Sequence, residues 1–152
     1  MTTYVDSSAL VAVYVSESFS ASARTAVRRA GQLPFTALHQ LEIPNAFELL
    51  VGRGLLTRAE GRAIHGHLRD DLESQRLLPV SLDLDQVFAN AADLSLDYTA
   101  KLLTRSLDLL HVAAAHVAQC SRFVSADDRQ LAVAKASGLV TVDIKRRRRP
   151  KP

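Results

Sequence analysis

The sequence predicts an α/β fold in which helices cover both faces of a parallel β-sheet. Short β-prone runs alternate along the chain with longer segments whose apolar residues recur at helical spacing. This alternation is typical of βα units and of a parallel sheet with helices on either side. The 152 residues, of which 47% are hydrophobic, suit one domain with one core.

The first part of the chain combines two short strands with longer helices. Ser7 and Ser8 follow the first strand and can cap a helix, and Gly31 is placed to end the next one. Pro34 favours the edge or the first residue of the second strand. In the helix after it, Pro44 should bend the axis and leave one carbonyl without its usual donor. The predicted elements are a strand at 3–5, helices at about 9–15 and 20–30, a strand at 33–36 and a helix at about 37–52.

The second part of the chain has clear signals for helix ends. Thr57 and Glu60 form a capping box before a polar helix, and Gly138 is placed to end the last helix. The predicted elements are helices at about 57–74, 83–96, 106–119 and 128–137, an extended run at 77–81, and strands at 122–125 and 139–142. No repeat or linker divides these elements, so residues 1–144 are expected to form one domain.

The basic residues are unevenly distributed along the chain. The formal net charge is +3, but residues 145–152, KRRRRPKP, hold six of the 19 basic residues. Without this basic tail the chain has more acidic than basic residues and is mildly acidic. The tail has two interpretations: a disordered, solvated end, or an arm that binds phosphate groups.

The composition also excludes several kinds of protein. Cys120 is the only cysteine, so neither an intramolecular disulfide nor a cysteine-based zinc site can form. The N-terminus lacks the features of a signal peptide, and no apolar stretch is long enough to span a bilayer. We therefore expect a cytoplasmic protein with no membrane partner.

Four separated acidic residues are candidates for a common site. Asp6 ends the first strand and Asp127 lies just past the fourth, and sites in parallel α/β sheets form at the carboxyl ends of strands. Glu42 lies in the helix after the second strand. Asp108 lies in the first turn of an otherwise apolar helix, where a charge needs a partner or a metal. His111 could share the helix face of Asp108 and contact metal or phosphate, although a lone histidine there is more often simply packed.

Each acid also has an ordinary structural interpretation. Asp6 and Asp127 could cap the helices that follow them, and Asp108 could complement a helix dipole. Glu42 could face solvent. The joint pattern favours a site, and carboxylates without a cysteine or paired histidine suit Mg²⁺ or Mn²⁺ rather than zinc.

At these residues the sequence resembles PIN-domain ribonucleases, specifically the VapC-type toxins of bacterial and archaeal toxin–antitoxin pairs. The resemblance extends from residue 3 to about residue 142. Four segments carry it in order: YVDSSAL from Tyr4, LEIPNAF from Leu41, RSLDLLHVA from Arg105, and FVSADDRQL from Phe123 with GLV from Gly138 behind it.

The resemblance implies a specific site. The family's acids transfer onto Asp6, Glu42, Asp108 and Asp127, which would serve as catalytic and metal-binding residues. Asp127 is preferred to Asp128 because it lies two residues after the hydroxyl residue at the strand end, and Asp128 is at most auxiliary. Supporting positions match Ser7 (or Ser8), Asn45 and Ser125. Pro44 departs from the family pattern and leaves the direction of Glu42 open.

The resemblance also implies a fold and an activity. The fold would be a three-layer α/β/α sandwich around a short parallel β-sheet. The activity would be a Mg²⁺- or Mn²⁺-dependent endoribonuclease in which metal-activated water hydrolyses RNA phosphodiesters, leaving 5′-phosphate and 3′-hydroxyl ends. A homodimer and a cognate VapB-like antitoxin would be the protein partners. The candidate RNA-binding residues are Arg105, Arg129, Arg146, Arg147 and the rest of the basic tail.

Two alternatives stay open at the level of sequence. One is a catalytically silent PIN-fold module that binds RNA or protein. The other is an aspartyl-phosphate phosphatase or receiver-type protein, which also places an aspartate at the end of its first strand. A phosphatase of that class would need an aspartate where Ser8 stands, and a receiver would need a lysine near Val142.

Overall fold

The fold consists of short parallel strands joined by helices. The computed structural model describes residues 2–145. The strands are β1 (Thr3–Val5), β2 (Leu33–Phe35), β3 (Leu77–Pro79), β4 (Arg122–Ser125) and β5 (Val140–Asp143). The helices are α1 (Ser7–Tyr14), α2 (Ser20–Ala30), α3 (Ala37–Gly52), α4 (Arg58–Glu73), α5 (Leu84–Leu94), α6 (Ala100–Leu102), α7 (Ser106–Val117) and α8 (Asp128–Ala136), with a π-helical turn at Ser95–Thr99.

The strands form two parallel ladders that lie next to each other. The first ladder has the order β1–β4–β5, and the second pairs β2 with β3. Between β1 and β2 the connection runs through side chains: His39 Nε2 lies 2.9 Å from the Val5 carbonyl oxygen, and Tyr4 Oη lies 3.5 Å from Thr36 Oγ1. The five strands therefore present their carboxyl ends at one common edge.

Alternating side chains of the central strands pack against helices on opposite faces. Tyr4 and Phe123 belong to a core that includes residues of α5, α7 and α8. Val5 and Val124 belong to a second core that includes residues of α1, α3 and α4. Two cores on the two faces of these adjacent parallel ladders make the three-layer α/β/α sandwich that the sequence predicts.

Most predicted elements are confirmed, and the differences are local. The prediction that Ser7 or Ser8 caps α1 is wrong, because the Asp6 side chain accepts the hydrogen bond from Ala9 N and the helix begins at Ser7. The predicted capping box of Thr57 and Glu60 is present.

Two further differences concern the interiors of helices. The helix predicted to run to residue 96 ends as an α-helix at Leu94. The π-helical turn and α6 follow it directly, and Leu103 then adopts a left-handed conformation with φ 53°. The helix that contains Pro44 is continuous from Ala37 to Gly52.

Residues 2–145 include only the first residue of the basic tail and no helix suited to span a membrane. Within residues 2–145, no helix combines the length and apolar character needed to cross a bilayer. Lys145 is the only residue of the predicted basic tail among those described, so Arg146, Arg147 and the residues after them lie outside the described part.

Candidate active site

The carboxyl ends of β1 and β4 meet at a buried carboxylate. Asp6 is 1% exposed, and its Oδ1 accepts a hydrogen bond of 2.8 Å from Ala9 N, which caps α1. Its Oδ2 accepts hydrogen bonds from Ser8 Oγ at 2.8 Å and from Ser125 Oγ at 3.0 Å. Asp6 is therefore a helix cap and, through Ser125, a bridge between two adjacent strands.

A chain of hydrogen bonds connects Asp6 to two more of the predicted acids. Ser125 Oγ, which donates to Asp6, accepts a bond of 2.9 Å from the Asp127 backbone N–H. Asp127 Oδ1 caps α8 and accepts from Gln130 N at 3.0 Å. The Gln130 side chain then donates from Nε2 to Asp108 Oδ1 at 3.2 Å. Asp6, Asp127 and Asp108 thus share one region of the sheet edge.

Glu42 reaches the same region from the other side of β1. Ser7, the neighbour of Asp6 in the chain, donates its hydroxyl hydrogen to Glu42 Oε2 over 2.6 Å. His111 Nε2 lies 2.5 Å from the same oxygen. Because Ser7 links Glu42 to the segment that carries Asp6, all four predicted acids lie around one end of β1 and β4.

Burial and hydrogen bonding shift the acidities of two neighbouring carboxyl groups in opposite directions. Burial raises the pKa of Asp6 above its ordinary value, although its hydrogen bonds oppose this shift. Burial also acts to raise the pKa of Glu42, but the hydrogen bonds from His111 and Ser7 outweigh it and hold that pKa below its usual range. Glu42 is thus the acid that the surrounding chain holds ionised.

The residues suit a hard divalent cation by their chemistry, but they are not arranged around one. Among residues 2–145, no three His, Cys, Asp or Glu side chains are positioned so that they could hold a metal ion. The donors at the edge are carboxylate and hydroxyl oxygens, which Mg²⁺ and Mn²⁺ prefer. Within the described part of the chain, Gln130 Oε1 is in addition a buried oxygen without a hydrogen-bond partner, on the amide that contacts Asp108. Asp6, Glu42, Asp108 and Asp127 carry the carboxylates at this edge that a cation of this kind would need as ligands.

The other predicted site residues divide into two groups. Ser7 and Ser125 contact the acids, as described above. Asn45 is exposed, and its side chain makes no hydrogen bond within the described residues. Arg105 is exposed beside Asp108, with Nε 3.7 Å from Asp108 Oδ2, whereas Arg129 is an exposed residue of α8.

Asp128, the possible auxiliary acid, pairs with the first residue of the basic tail. Lys145 Nζ lies 2.6 Å from Asp128 Oδ1. This ion pair is exposed on the side of Asp128, and it places Lys145 near Asp127 at the acidic edge.

Sequence reasoning did not identify several residues that complete the site. Gln130 and the network of Tyr4, Thr36 and His39 were not candidates, and His111 was considered more often packed than functional. Spacing offers a partial signal, because Gln130 follows Asp127 by three residues and His111 follows Asp108 by three. Tyr4 has no such signal, since its hydroxyl contacts His111, which lies 107 residues further along the chain.

Fold and site together define a three-layer α/β/α protein with an acidic site at the carboxyl edge of its parallel sheet. The sequence matches the model of the PIN domain family over residues 3–136, and the chain belongs to this family. PIN domains are generally nucleases. No curated protein sequence is detectably similar to the chain.

Two solved structures resemble the fold at low sequence identity. The crystal structure of FitAcB from Neisseria gonorrhoeae aligns with a TM-score of 0.69 and 14% identity, covering 95% of this chain and 99% of that one. The crystal structure of PAE2754 from Pyrobaculum aerophilum aligns with a TM-score of 0.58 and 21% identity, covering 93% and 83%. Both similarities concern the fold.

The raised pKa of Asp6 makes the stability of the metal-free protein depend on pH. Since the folded-state pKa lies above the unfolded one, ionised Asp6 opposes folding at higher pH, and this effect fades as pH falls through the raised pKa. Asn keeps the helix cap without the charge. In chelator, Asp6→Asn should melt at a higher temperature than wild type at about pH 8, with the difference shrinking towards lower pH.

The exposed acid Asp93 provides the matched control. Asp93→Asn should leave the melting temperature close to that of wild type at every pH. If Asp6→Asn were the less stable protein across the whole pH range, burial of the Asp6 charge would not be the dominant effect.

Proposed function

We propose that this protein is a metal-dependent endoribonuclease and the toxin of a VapBC-type toxin–antitoxin pair. One observation carries the proposal: hydrogen bonds through Ser125 and Gln130 join Asp6, Asp127 and Asp108 in one region, and Ser7 joins Glu42 to it. Family membership supplies the general activity, and the sequence resemblance to VapC-type toxins supplies the finer assignment.

The four acids take different parts in the proposed hydrolysis. Asp6 and Asp108 are assigned as the direct ligands of Mg²⁺ or Mn²⁺, and Glu42 and Asp127 as further ligands or as groups that orient the attacking water. When bound, the cation supplies Lewis acidity at the phosphate and lowers the pKa of water. Glu42, whose pKa lies below its usual range, is ionised at neutral pH and can accept a hydrogen bond from that water.

Nearby hydroxyl groups keep the carboxylates in place. Ser8 and Ser125 donate to Asp6, and Ser7 donates to Glu42. Hydrogen bonds of this kind reduce the rotational freedom of each carboxylate before substrate binds. The supporting role proposed for Asn45 rests on the sequence resemblance alone.

Binding of RNA requires basic residues, because the acidic edge repels phosphate groups. Arg105 lies beside Asp108 and is 71% exposed at its side chain, and Arg129 is exposed near Asp127. The chain also leaves β5 at this edge, where Ile144 N donates to Ser125 O and Lys145 pairs with Asp128. Lys145, the first residue of the basic tail, therefore lies at the acidic edge, and we propose that Arg146 and Arg147 contact substrate phosphates.

The proposal includes a homodimer, a VapB-like antitoxin and a cytoplasmic location. Exposed apolar residues support a protein partner: Leu84 and Phe88 lie one helical turn apart on α5, and Leu84 also lines a groove with Leu38 and Leu82. Covering such residues in an interface removes apolar surface from water.

Membership of the PIN family favours the nuclease over an aspartyl-phosphate enzyme. A catalytically silent PIN-fold module is the second candidate, and cleavage assays separate it from the nuclease.

Cleavage of RNA should depend on both the divalent ion and the predicted ligands. We expect hydrolysis of a structured RNA panel with Mg²⁺ or Mn²⁺, none in chelator, and a loss of roughly 100-fold or more in kcat/KM for Asp6→Asn and for Asp108→Asn. Denaturing gel electrophoresis of end-labelled RNA measures both the rate and the product ends.

Asp93→Asn is the control for this assay and should cleave like wild type. Cleavage that survives both site substitutions would mean a contaminating nuclease or a different site. Wild-type protein that binds RNA but never cleaves it would favour the silent module.

The toxin role predicts an effect on growth that follows catalysis. Expression of wild type or Asp93→Asn in a bacterial host should slow growth, and Asp6→Asn should not. Coexpression of the small gene adjacent to this one should relieve the effect of wild type. Equal toxicity of wild type and Asp6→Asn, measured by growth rate at matched protein levels, would contradict the role.

If the basic tail binds RNA phosphates, its removal should weaken the salt dependence of binding. Deleting residues 146–152 should lower the slope of log affinity against log salt by about 0.7 for each lost contact to single-stranded RNA, or about 0.9 for duplex. Fluorescence anisotropy at several salt concentrations measures the slope. A tail of the same length with serine for each basic residue should match the deletion, and an unchanged slope would remove the tail from RNA binding.

A further inference from the structure

We propose that His111 and Tyr4 are positioning residues that fix the direction of the Glu42 carboxylate at the acidic edge. The inference deepens the proposed function and depends on the role given there to Glu42. It is carried by the contacts of His111 and Tyr4, which connect the core of the sheet to an acid of the site.

Glu42 needs an external restraint, because its own helix does not determine where its carboxylate points. Its side chain is flexible and 27% exposed, and holding it in one rotamer loses conformational entropy. Ser7 Oγ and His111 Nε2 both contact Oε2, at 2.6 and 2.5 Å. Oε1 has no hydrogen-bond partner within the described residues. Two donors on one oxygen therefore leave the other oxygen available to a ligand.

The proton positions follow from the partners of His111. An ionised carboxylate only accepts hydrogen bonds, so His111 Nε2 carries the hydrogen that points to Glu42. On the other side of the ring, Nδ1 lies 2.9 Å from the Tyr4 hydroxyl oxygen. Burial raises the pKa of Tyr4 far above its usual range, so this hydroxyl keeps its hydrogen and can donate it to Nδ1.

His39, at the far end of this network, is uncharged and held by hydrogen bonds on both ring nitrogens. His39 Nδ1 accepts from the Thr36 backbone N–H at 3.0 Å, so its Nε2 carries the hydrogen donated to Val5 O. Burial lowers the pKa of His39 to about 3, which keeps the ring uncharged. The Thr36 hydroxyl can donate to His39 Nδ1 at 3.1 Å, which leaves the hydrogen of Tyr4 free for His111.

The packing of His111 and Tyr4 gives this chain of contacts a rigid base. His111 is 2% exposed and Tyr4 is fully buried in β1. The Tyr4 ring is stacked on Phe123 of β4, with ring centroids 5.6 Å apart. A histidine with a purely structural role would need only to satisfy its own ring nitrogens. Here one ring nitrogen contacts the core residue Tyr4 and the other contacts the carboxylate of Glu42.

Two substitutions of His111 separate positioning from packing. Glutamine places an amide nitrogen near the position of Nε2 and can still donate to Glu42, whereas asparagine reaches only to about the position of Nδ1. We expect His111→Asn to weaken Mn²⁺ binding, measured by titration calorimetry, by about 10- to 100-fold and to lower kcat. His111→Gln should lose less of both, and Tyr4→Phe should also weaken Mn²⁺ binding.

His116→Gln is the control on the same helix, because His116 bonds Ser137 away from the acids. It should bind Mn²⁺ like wild type. The positioning role would be overturned if His111→Asn and His111→Gln lost equal amounts of Mn²⁺ affinity and kcat, in proportion to their losses in free energy of unfolding.

A double-mutant cycle tests whether His111 acts through Glu42. In a Glu42→Gln background, His111→Asn should cause no further loss of Mn²⁺ affinity or kcat, because the group that it positions is already altered. Fully additive losses would overturn the inference, since His111 would then act by another route.

A metal-free measurement keeps this inference separate from the proposed function. Nitrogen NMR of the chelated protein should show His111 with hydrogen on Nε2 and a hydrogen-bonded Nδ1, whose signal shifts in Tyr4→Phe and not in His116→Gln. Hydrogen on Nδ1 alone would overturn the positioning network. If His111 has the expected tautomer but the protein neither binds Mn²⁺ nor cleaves RNA, the proposed nuclease function is wrong and the hydrogen-bond network of His111 still stands.

Discussion

The structure depends on one buried carboxylate at the point where β1 turns into α1. Asp6 satisfies the first turn of a helix with one oxygen and receives two serine hydroxyls on the other, so it ties helix, strand and neighbouring strand together. Burying such a charge is unfavourable even when its hydrogen bonds are complete, and its raised pKa records that penalty. Asp6 therefore lowers the stability of the metal-free protein at the pH values where it is ionised.

The remaining acids are held partly by the ends of their own helices and partly by side chains from other elements. Asp127 is held by the first turn of α8, Asp108 by the Gln130 amide, and Glu42 by a serine and a histidine. Arg105 N also donates to Asp108 Oδ2 at the start of α7, so the restraints on Asp108 and Asp127 are partly local, whereas those on Glu42 come from α1 and α7. The geometry of the site is therefore a property of how strands and helices are assembled.

The sequence predicted the features that depend on neighbouring residues, and it did not predict those that depend on contacts between residues far apart in the chain. Asp6 and Asp127 were predictable because strand ends and helix caps are both short-range features. The direction of Glu42 was not, because Ser7 and His111 lie 35 and 69 residues away from it in the chain. The π-helical turn at Ser95–Thr99 was missed for a related reason: neither glycine nor proline marks it, and the periodicity of the helix continues through it.

The boundary between β1 and β2, where the two ladders meet, has a consequence for the spacing of the four acids. Among residues 2–145, no backbone ladder joins these strands. The His39 imidazole of α3 contacts the Val5 carbonyl, and Tyr4 Oη lies 3.5 Å from Thr36 Oγ1. Glu42 belongs to the part of the molecule on one side of that boundary, while Asp6, Asp108 and Asp127 belong to the other. Any change in the spacing of β1 and β2 would therefore change the distance between the Glu42 carboxylate and the other three, with no ladder hydrogen bond between these two strands to oppose it.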